Sequence, residues 1–327
     1  MIGIDPPYQP ATLKFRNGTA QDMLLGDKRR SLSQRSFLGA HDLTPGVLHE
    51  ELYSITMLHE DWVVIVTGAG GSGCGRAISE RFAADGAAIV VSDIDEAGGN
   101  ETVRAIERNG GRATFFRSDV RKESQVKELV SFAETTFGGL SVLVNNASAP
   151  HSDADLGSWI DPIETDLLGA IYATRWAIEV MRRGQGGAIV NIASISALWH
   201  GRKTPGGLPG YDVAKAGMIR MTTRLAYLAE VDGVRVNCLA PGWIGTNEVR
   251  KHWAALTPTE RTARKVPARL LTTGQISDAV IRLAEDRSLA GRVLIWWSED
   301  APRLIEWGDR GYRDLVDFES YLSPSTV

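Results

Sequence analysis

A short apolar run that ends in a cluster of glycines constrains this chain more than any other stretch. Trp62-Val63-Val64-Ile65-Val66-Thr67 is apolar and β-branched almost throughout, the composition of a strand buried on both faces. It leads straight into Gly68-Ala69-Gly70-Gly71-Ser72-Gly73-Cys74-Gly75. A helical pattern follows over RAISERFAADG, with a glycine stop at Gly86. The same alternation then continues. AAIVVSD, ATFFRSD, LSVLVNN, AIVNIAS, VRVNCLA and GRVLIWW read as six further strands. Helices are expected over EAGGNETVRAIERNG, KESQVKELVSFAETTFG, residues 160–183, residues 210–230 and ISDAVIRLAED. Strands alternating with helices at this spacing imply a parallel sheet covered on both faces. No linker interrupts the pattern between residues 61 and 298. The expectation is therefore one α/β domain, a doubly wound Rossmann-type fold with a mainly parallel sheet of about seven strands. The 327 residues alone would suggest two domains.

Glycines between a buried strand and a helix let the backbone approach a pyrophosphate, which then sits at the positive end of the helix. An acid belongs at the end of the next strand in such a unit, and Asp93 is there. Its carboxylate can accept from the adenosine ribose hydroxyls and would repel a 2′-phosphate. With no Lys or Arg inside the glycine run, this favours NAD over NADP, although Arg76 follows directly. The plainer reading of Asp93 is a turn residue at a strand end.

Tyr211 and Lys215 stand four residues apart, on one face of an expected helix. A phenol is a poor acid or base at neutral pH, with an ordinary pKa of about 10, and an ammonium beside it favours the phenolate. Such a pair can pass a proton to or from an alcohol or carbonyl. Taken alone, this spacing describes a surface pair just as well. The rest of the composition narrows the field. A net charge of −4 without a basic cluster offers nothing to nucleic acid. No apolar run approaches the roughly 18 residues of a membrane span, and MIGIDPPYQP lacks the features of a signal peptide. Two cysteines make no disulfide framework, so a reduced, cytoplasmic compartment is expected. Cys74 is expected to pack beside the glycine loop and Cys238 in the core. The histidines have no paired-ligand spacing, and no metal site is expected.

In this order the segments resemble the short-chain dehydrogenase/reductase family over residues 61–298. Thr67-Gly68 through Gly73 and Gly75 is similar to the family's glycine loop, with one extra residue. Asp119-Val120 resembles the aspartate before its adenine pocket. Asn145-Asn146-Ala147-Ser148 resembles its Asn-Asn-Ala-Gly strand end, with serine for the glycine. Ser194 matches its catalytic serine and Tyr211 with Lys215 its Tyr-xxx-Lys pair. Pro241-Gly242, Ile244 and Thr246 resemble the segment that holds the nicotinamide. The resemblance implies NAD binding through Gly68, Gly73, Gly75, Asp93, Asp119, Val120, Asn145, Ala147, Tyr211, Lys215, Pro241, Gly242, Ile244 and Thr246. It implies catalysis by Ser194, Tyr211, Lys215 and Asp166 on an alcohol or ketone. Tyr211 would be the general acid/base, Lys215 would tune it and hold the nicotinamide ribose, and Ser194 would donate to the substrate oxygen. Besides the longer glycine loop, two departures stand out. The interval from Ser194 to Tyr211 is longer than the family's, and WHGRKTPGGLPG is expected to bulge at the substrate mouth, where His200, Arg202 and Lys203 either meet a polar substrate or are solvated. Asp166 replaces an asparagine thought to hold a relay water beside the lysine. It either keeps that role or pairs with Lys215. Two other readings stay open: a non-catalytic NAD-binding sensor or scaffold, and an NADPH-dependent carbonyl reductase.

The flanks are less legible. Residues 1–60 read as a weakly ordered arm, or as sequence upstream of a start at Met57. Residues 243–270 are expected to form a lid of two short helices, with Trp243 and Trp253 either lining a pocket or packing the lid. Residues 299–327, together with Trp296, Trp297, Trp307, Tyr312 and Phe318, are expected to dock on the body or on a neighbouring subunit. The resemblance implies a homodimer or homotetramer.

Overall fold

The computed structural model describes residues 59–149, 159–198 and 208–306. Its strands are β1 (Val63–Thr67), β2 (Ala88–Asp93), β3 (Arg112–Arg117), β4 (Val142–Asn145), β5 (Gly187–Ile192), β6 (Val234–Pro241), β7 (Val293–Trp296) and β8 (Arg303–Leu304). They form one sheet in the order β3-β2-β1-β4-β5-β6-β7-β8. The seven expected strands are parallel to their neighbours, as the βα alternation requires. The eighth pairs antiparallel with β7, Leu294 opposite Leu304. Two exposed residues carry no alternation, so nothing in the sequence marks β8 as a strand.

Every residue of β1 is buried, and the strand supplies both faces of the core. Val64 and Val66 pack with Ile78, Phe82 and Val280 on one side. Val63 and Ile65 pack with Leu129, Ala177 and Met181 on the other. The helices are α1 (Cys74–Ala84), α2 (Glu96–Arg108), α3 (Glu123–Phe137), α4 (Gly169–Arg183), α5 (Pro209–Arg224), α6 (Leu228–Val231), α7 (Asn247–Ala255), α8 (Pro258–Ala263) and α9 (Thr273–Glu285), and α1, α3, α4 and α9 supply these partners. Their ends follow local chemistry. Gly138 takes φ +88° to stop α3, and Pro209 occupies the first turn of α5. Capping boxes start α8 (Thr257, Glu260) and α9 (Thr272, Gln275).

Two helices differ from expectation. The segment 210–230 is not one helix; α5 ends at Arg224 and α6 begins at Leu228. Residues 160–183 are not uniformly α-helical either. A single turn, Ile160–Pro162, leads into a π-helical stretch, Ile163–Leu168, before α4. A π stretch closes i→i+5 hydrogen bonds and shifts the faces of the residues it contains, and such bulges gather at functional sites. Here it turns Asp166 inward.

β1 and β4 sit side by side with their partners on opposite sides, so the strand order reverses between them. In open sheets of this kind the crevice for a ligand lies beyond the carboxyl ends at that reversal. No helix among the described residues is long and apolar enough to cross a membrane.

Candidate active site

The glycine loop follows β1 at this reversal. Gly68 has φ +67°, and a Cβ there would lie 2.7 Å from the Ala147 backbone. At Gly75 a Cβ would strike the Gly68 carbonyl oxygen at 2.3 Å. These two glycines are needed by the turn itself. Gly71 and Gly73 differ: a Cβ on either would come no closer than 4.0 and 3.8 Å to the protein. Their bareness is not required for packing and leaves an open cradle at the N-terminus of α1, which no side chain caps. Uncapped N–H groups and an open backbone fit a dinucleotide phosphate.

The loop is held closely by its neighbours at Gly70. The Gly70 N–H donates to Asp93 Oδ2 at 2.7 Å, and Asp93 Oδ1 accepts from the Asp95 N–H at 2.9 Å. Asp93 thus braces the loop, and its carboxylate keeps further acceptor capacity for a ribose. Gly98 lets the Gly70 carbonyl approach; a Cβ on Gly98 would be 2.1 Å from that oxygen. Two glycines at the start of α2 look like weak helix residues in the sequence, yet here they are steric requirements, since a Cβ on Gly99 would overlap the Phe115 ring. Thr67 ties the two strand ends together. Its hydroxyl accepts from the Asn146 and Ala147 N–H groups, while Asn146 Nδ2 donates to the Thr67 and Gly68 carbonyls.

Across the crevice, α5 brings Tyr211, half-buried, above Lys215, which is only 2% exposed. Lys215 Nζ lies 5.3 Å from the Tyr211 ring centre. It donates to the Ile192 carbonyl at 2.9 Å and meets Asp166 Oδ2 at 3.0 Å. Asp166 is 1% exposed. Of the alternatives for this aspartate, direct pairing is what the structure holds. The pairing needs a close approach of α5 to the π-helical stretch, and Gly217 provides it: a Cβ there would be 2.8 Å from Leu167. Asp166 has two more donors, Ser148 Oγ at 2.6 Å and the Ala149 N–H at 2.8 Å. Burial pulls the Lys215 pKa down, but Asp166 and Tyr211 outweigh it and hold the value above the ordinary one. The lysine is therefore a buried, permanent ammonium at neutral pH. Ser194 follows β5, half-buried, and its oxygen accepts from the Ser196 N–H and hydroxyl.

The other expected residues fall around this centre. Asp119 is gripped by the Arg121 guanidinium, which holds it below the usual carboxylate range. Val120 packs against Gly169, where a Cβ would be 2.8 Å away, and so explains the glycine of Asp166-x-x-Gly. The buried Asn145 side chain donates to Thr174 and Asn191. Pro241 ends β6, Gly242 donates to the Trp296 carbonyl, Ile244 bridges to Leu271, and Thr246 precedes α7. The Thr246 methyl faces Gly73 across the cradle. Trp253 packs the lid on itself, donating to the Pro267 carbonyl under the Arg261 guanidinium. Burial pushes the Cys74 thiol up to about 11 and Cys238 to about 12, so neither is a thiolate nucleophile. His200, Arg202, Lys203, Trp307, Tyr312, Phe318 and residues 1–58 of the N-terminal arm lie outside the described residues.

Sequence reasoning did not give Thr67, Asn146 or Ser148 a role. Ser72 and Asn247 were missed as well; they join the glycine loop to the lid through a 2.9 Å hydrogen bond. The serine in place of glycine at 148 was the available signal, since it adds a hydroxyl that can reach Asp166.

The short chain dehydrogenase family model matches residues 62–256. Cis-4-hydroxycyclohexanecarboxylate dehydrogenase of Sinomonas cyclohexanicum is 36% identical over 229 residues, 68% of this chain and 89% of that protein. 3beta-hydroxysteroid dehydrogenase 1 of Eggerthella lenta is 34% identical over 212 residues, 62% of this chain and 78% of that one. A solved structure described as a short-chain dehydrogenase/reductase from Burkholderia xenovorans superposes with TM-score 0.65 at 33% identity, covering 72% of this chain and 95% of its own.

Proposed function

We propose, from the premise that this chain belongs to the short-chain dehydrogenase family, that it is an NAD-dependent oxidoreductase moving a hydride between NAD(H) and a secondary alcohol or its ketone. The observation that carries the reading is the buried Lys215 ammonium, fixed by Asp166 and the Ile192 carbonyl one helical turn from Tyr211. A charge held so deep costs several kcal/mol to desolvate, at roughly the scale known for buried ions, unless it is paired. A surface pair would not be built this way.

The cradle at Gly71 and Gly73 would hold the pyrophosphate, and Asp93 the adenosine ribose. Asp93 also supports NAD over NADP, because a 2′-phosphate there would meet a carboxylate. Arg76, which left that choice open, is occupied by Glu80 at 2.9 Å and Glu101 at 3.1 Å. When bound, the nicotinamide supplies the hydride chemistry. In oxidation Tyr211 takes the alcohol proton, and in reduction it returns one. Ser194 donates to the substrate oxygen as charge develops on it. Lys215 stabilises negative charge on the tyrosine side. The reading includes a homodimer or homotetramer working in the cytoplasm.

The two relatives act, by their names, on hydroxyl groups carried by rings, so ring alcohols lead the substrate screen. Purified protein is assayed for NADH and NADPH formation against cyclic and acyclic secondary alcohols. Turnover with NAD on at least one alcohol, and far weaker turnover with NADP, is expected. A protein that binds NAD but reduces it with no alcohol would overturn the enzyme reading.

A further inference from the structure

The first turn of the lid helix α7 faces the glycine cradle across one cleft. Ser72 and Gly73 line one wall, and Thr246, Asn247, Arg250 and Lys251 line the other. The walls meet where Asn247 Nδ2 donates to Ser72 Oγ at 2.9 Å. A pyrophosphate is a doubly charged anion, yet the glycine loop itself carries no cation. Arg76, which follows the loop, is held by Glu80 and Glu101. On the lid wall Lys251 is paired with Glu248 at 2.8 Å. Arg250 differs from both: among the described residues no carboxylate pairs with it. It is exposed yet fixed, because its Nε donates to the Gly245 carbonyl at 2.7 Å. The guanidinium lies so close over Gly245 that a Cβ there would be 3.1 Å from its Cζ, Nε and Nη2. Gly245 is not one of the glycines with positive φ, so its missing side chain serves the arginine's seat rather than the turn. With Nε spent on that anchor, the terminal nitrogens keep donors in the planar arrangement that suits a phosphate.

We propose that Arg250 is a cofactor-binding residue: it supplies, from the lid, the countercharge that the glycine cradle lacks. The proposal rests on the dinucleotide reading of the cradle given above. It makes the pyrophosphate, rather than the nicotinamide or the substrate, the group that draws α7 onto the glycine loop. The Ser72–Asn247 hydrogen bond then closes the cleft beside the bound phosphates. A neutral side chain at position 250 would leave the lid wall with only the Lys251–Glu248 pair, whose charges cancel.

ADP-ribose isolates the effect, since it carries the adenosine and the pyrophosphate but no nicotinamide. Full-length Arg250→Gln should bind ADP-ribose roughly tenfold more weakly in calorimetric titration, the effect of one lost hydrogen bond to a charged group. Added NaCl should weaken binding to wild type more than to the variant, because salt screens an exposed charge. In hydrogen exchange, ADP-ribose should protect the α7 amides of wild type and leave those of the variant unprotected. Glu248→Gln, on the same turn, removes an anion instead, and its affinity should hold or rise. An Arg250→Gln affinity within about twofold of wild type overturns the assignment. So does an equal loss in Glu248→Gln, which would trace the effect to a disturbed helix, and so does α7 protection that survives in Arg250→Gln. Wild-type protein that binds no ADP-ribose overturns the cradle and Arg250 together. Wild-type protein that binds ADP-ribose but forms no NADH with any alcohol overturns the oxidoreductase reading instead, and the titration still decides Arg250.

Discussion

At the scale of single residues, a buried cation and a buried anion have to be judged together. Removing one partner leaves the other charge desolvated and uncompensated, which typically costs ~3–5 kcal/mol. Asp166→Ala should therefore destabilise the protein by about that much in urea unfolding. Asp166→Asn should cost less, because an amide oxygen can still accept from Lys215. An Asp166→Ala variant as stable as wild type would show that the pair is not the anchor its 3.0 Å contact implies. Tyr211 makes a different claim, since its value lies in one oxygen. Tyr211→Phe keeps the ring beside Lys215 and removes only that atom. Turnover should fall at least about 100-fold, the lower range for a lost acid/base group. NAD binding, followed by fluorescence titration, should stay within about twofold, because a lost uniform binding contact would appear in both measurements. Ser194 and Tyr211 could be named as candidates from the sequence because each stands in a short motif whose chemistry needs that residue type, and the structure places both beside the crevice. The direct contact of Asp166 with Lys215 was one of two alternatives the sequence left open, because the choice depends on where a π-helical stretch turns one side chain.

At the scale of elements, the glycine loop and α2 have to be read as one unit. Glycine costs a helix up to about 1 kcal/mol relative to alanine, so Gly98 and Gly99 look like defects at the start of α2. The glycine loop explains the first: the Gly70 carbonyl occupies the space a Gly98 side chain would need. Gly98→Ala should improve the helix locally yet displace the loop. NAD affinity should weaken at least about tenfold, the scale of one or two lost charge-assisted hydrogen bonds of ~1.5 kcal/mol or more each. The melting temperature should change little by comparison. Unchanged NAD affinity in this variant would mean that the loop can shift without disturbing the cradle. The sequence marked the loop's extra residue but not its consequence, since the neighbour that makes room lies in the next helix. The π-helical stretch escaped for a related reason. Apolar residues over 160–183 satisfy a helical period, and one i→i+5 turn barely alters that pattern.

At the scale of the molecule, the parallel sheet was legible from end to end because burial on both faces forces continuous apolar strands. β8 was not, since two exposed residues leave no pattern to read. The same burial gives the whole fold a dependence on alkaline pH. Lys215 binds its proton more tightly in the folded protein than an ordinary lysine does, despite its desolvation, chiefly because of Asp166. Below the ordinary lysine pKa of about 10.4 both folded and unfolded chains hold that proton, and the pair's stabilisation is complete. Above it the unfolded chain releases the proton first, so unfolding gains ground as pH rises, and the contribution is gone once pH passes the raised folded value. Other lysines and tyrosines titrate in the same range, so the wild-type curve alone does not isolate the effect. The difference between wild type and Asp166→Asn does. In the variant the carboxylate's pull on Lys215 is gone while every other group is unchanged. Urea unfolding at stepped alkaline pH should show wild type losing stability more steeply than the variant, with the two curves converging as pH rises. Parallel curves would mean that Asp166 does not raise the lysine's proton affinity, and that the charge at the centre of this site is held by the Ile192 carbonyl and Tyr211 instead.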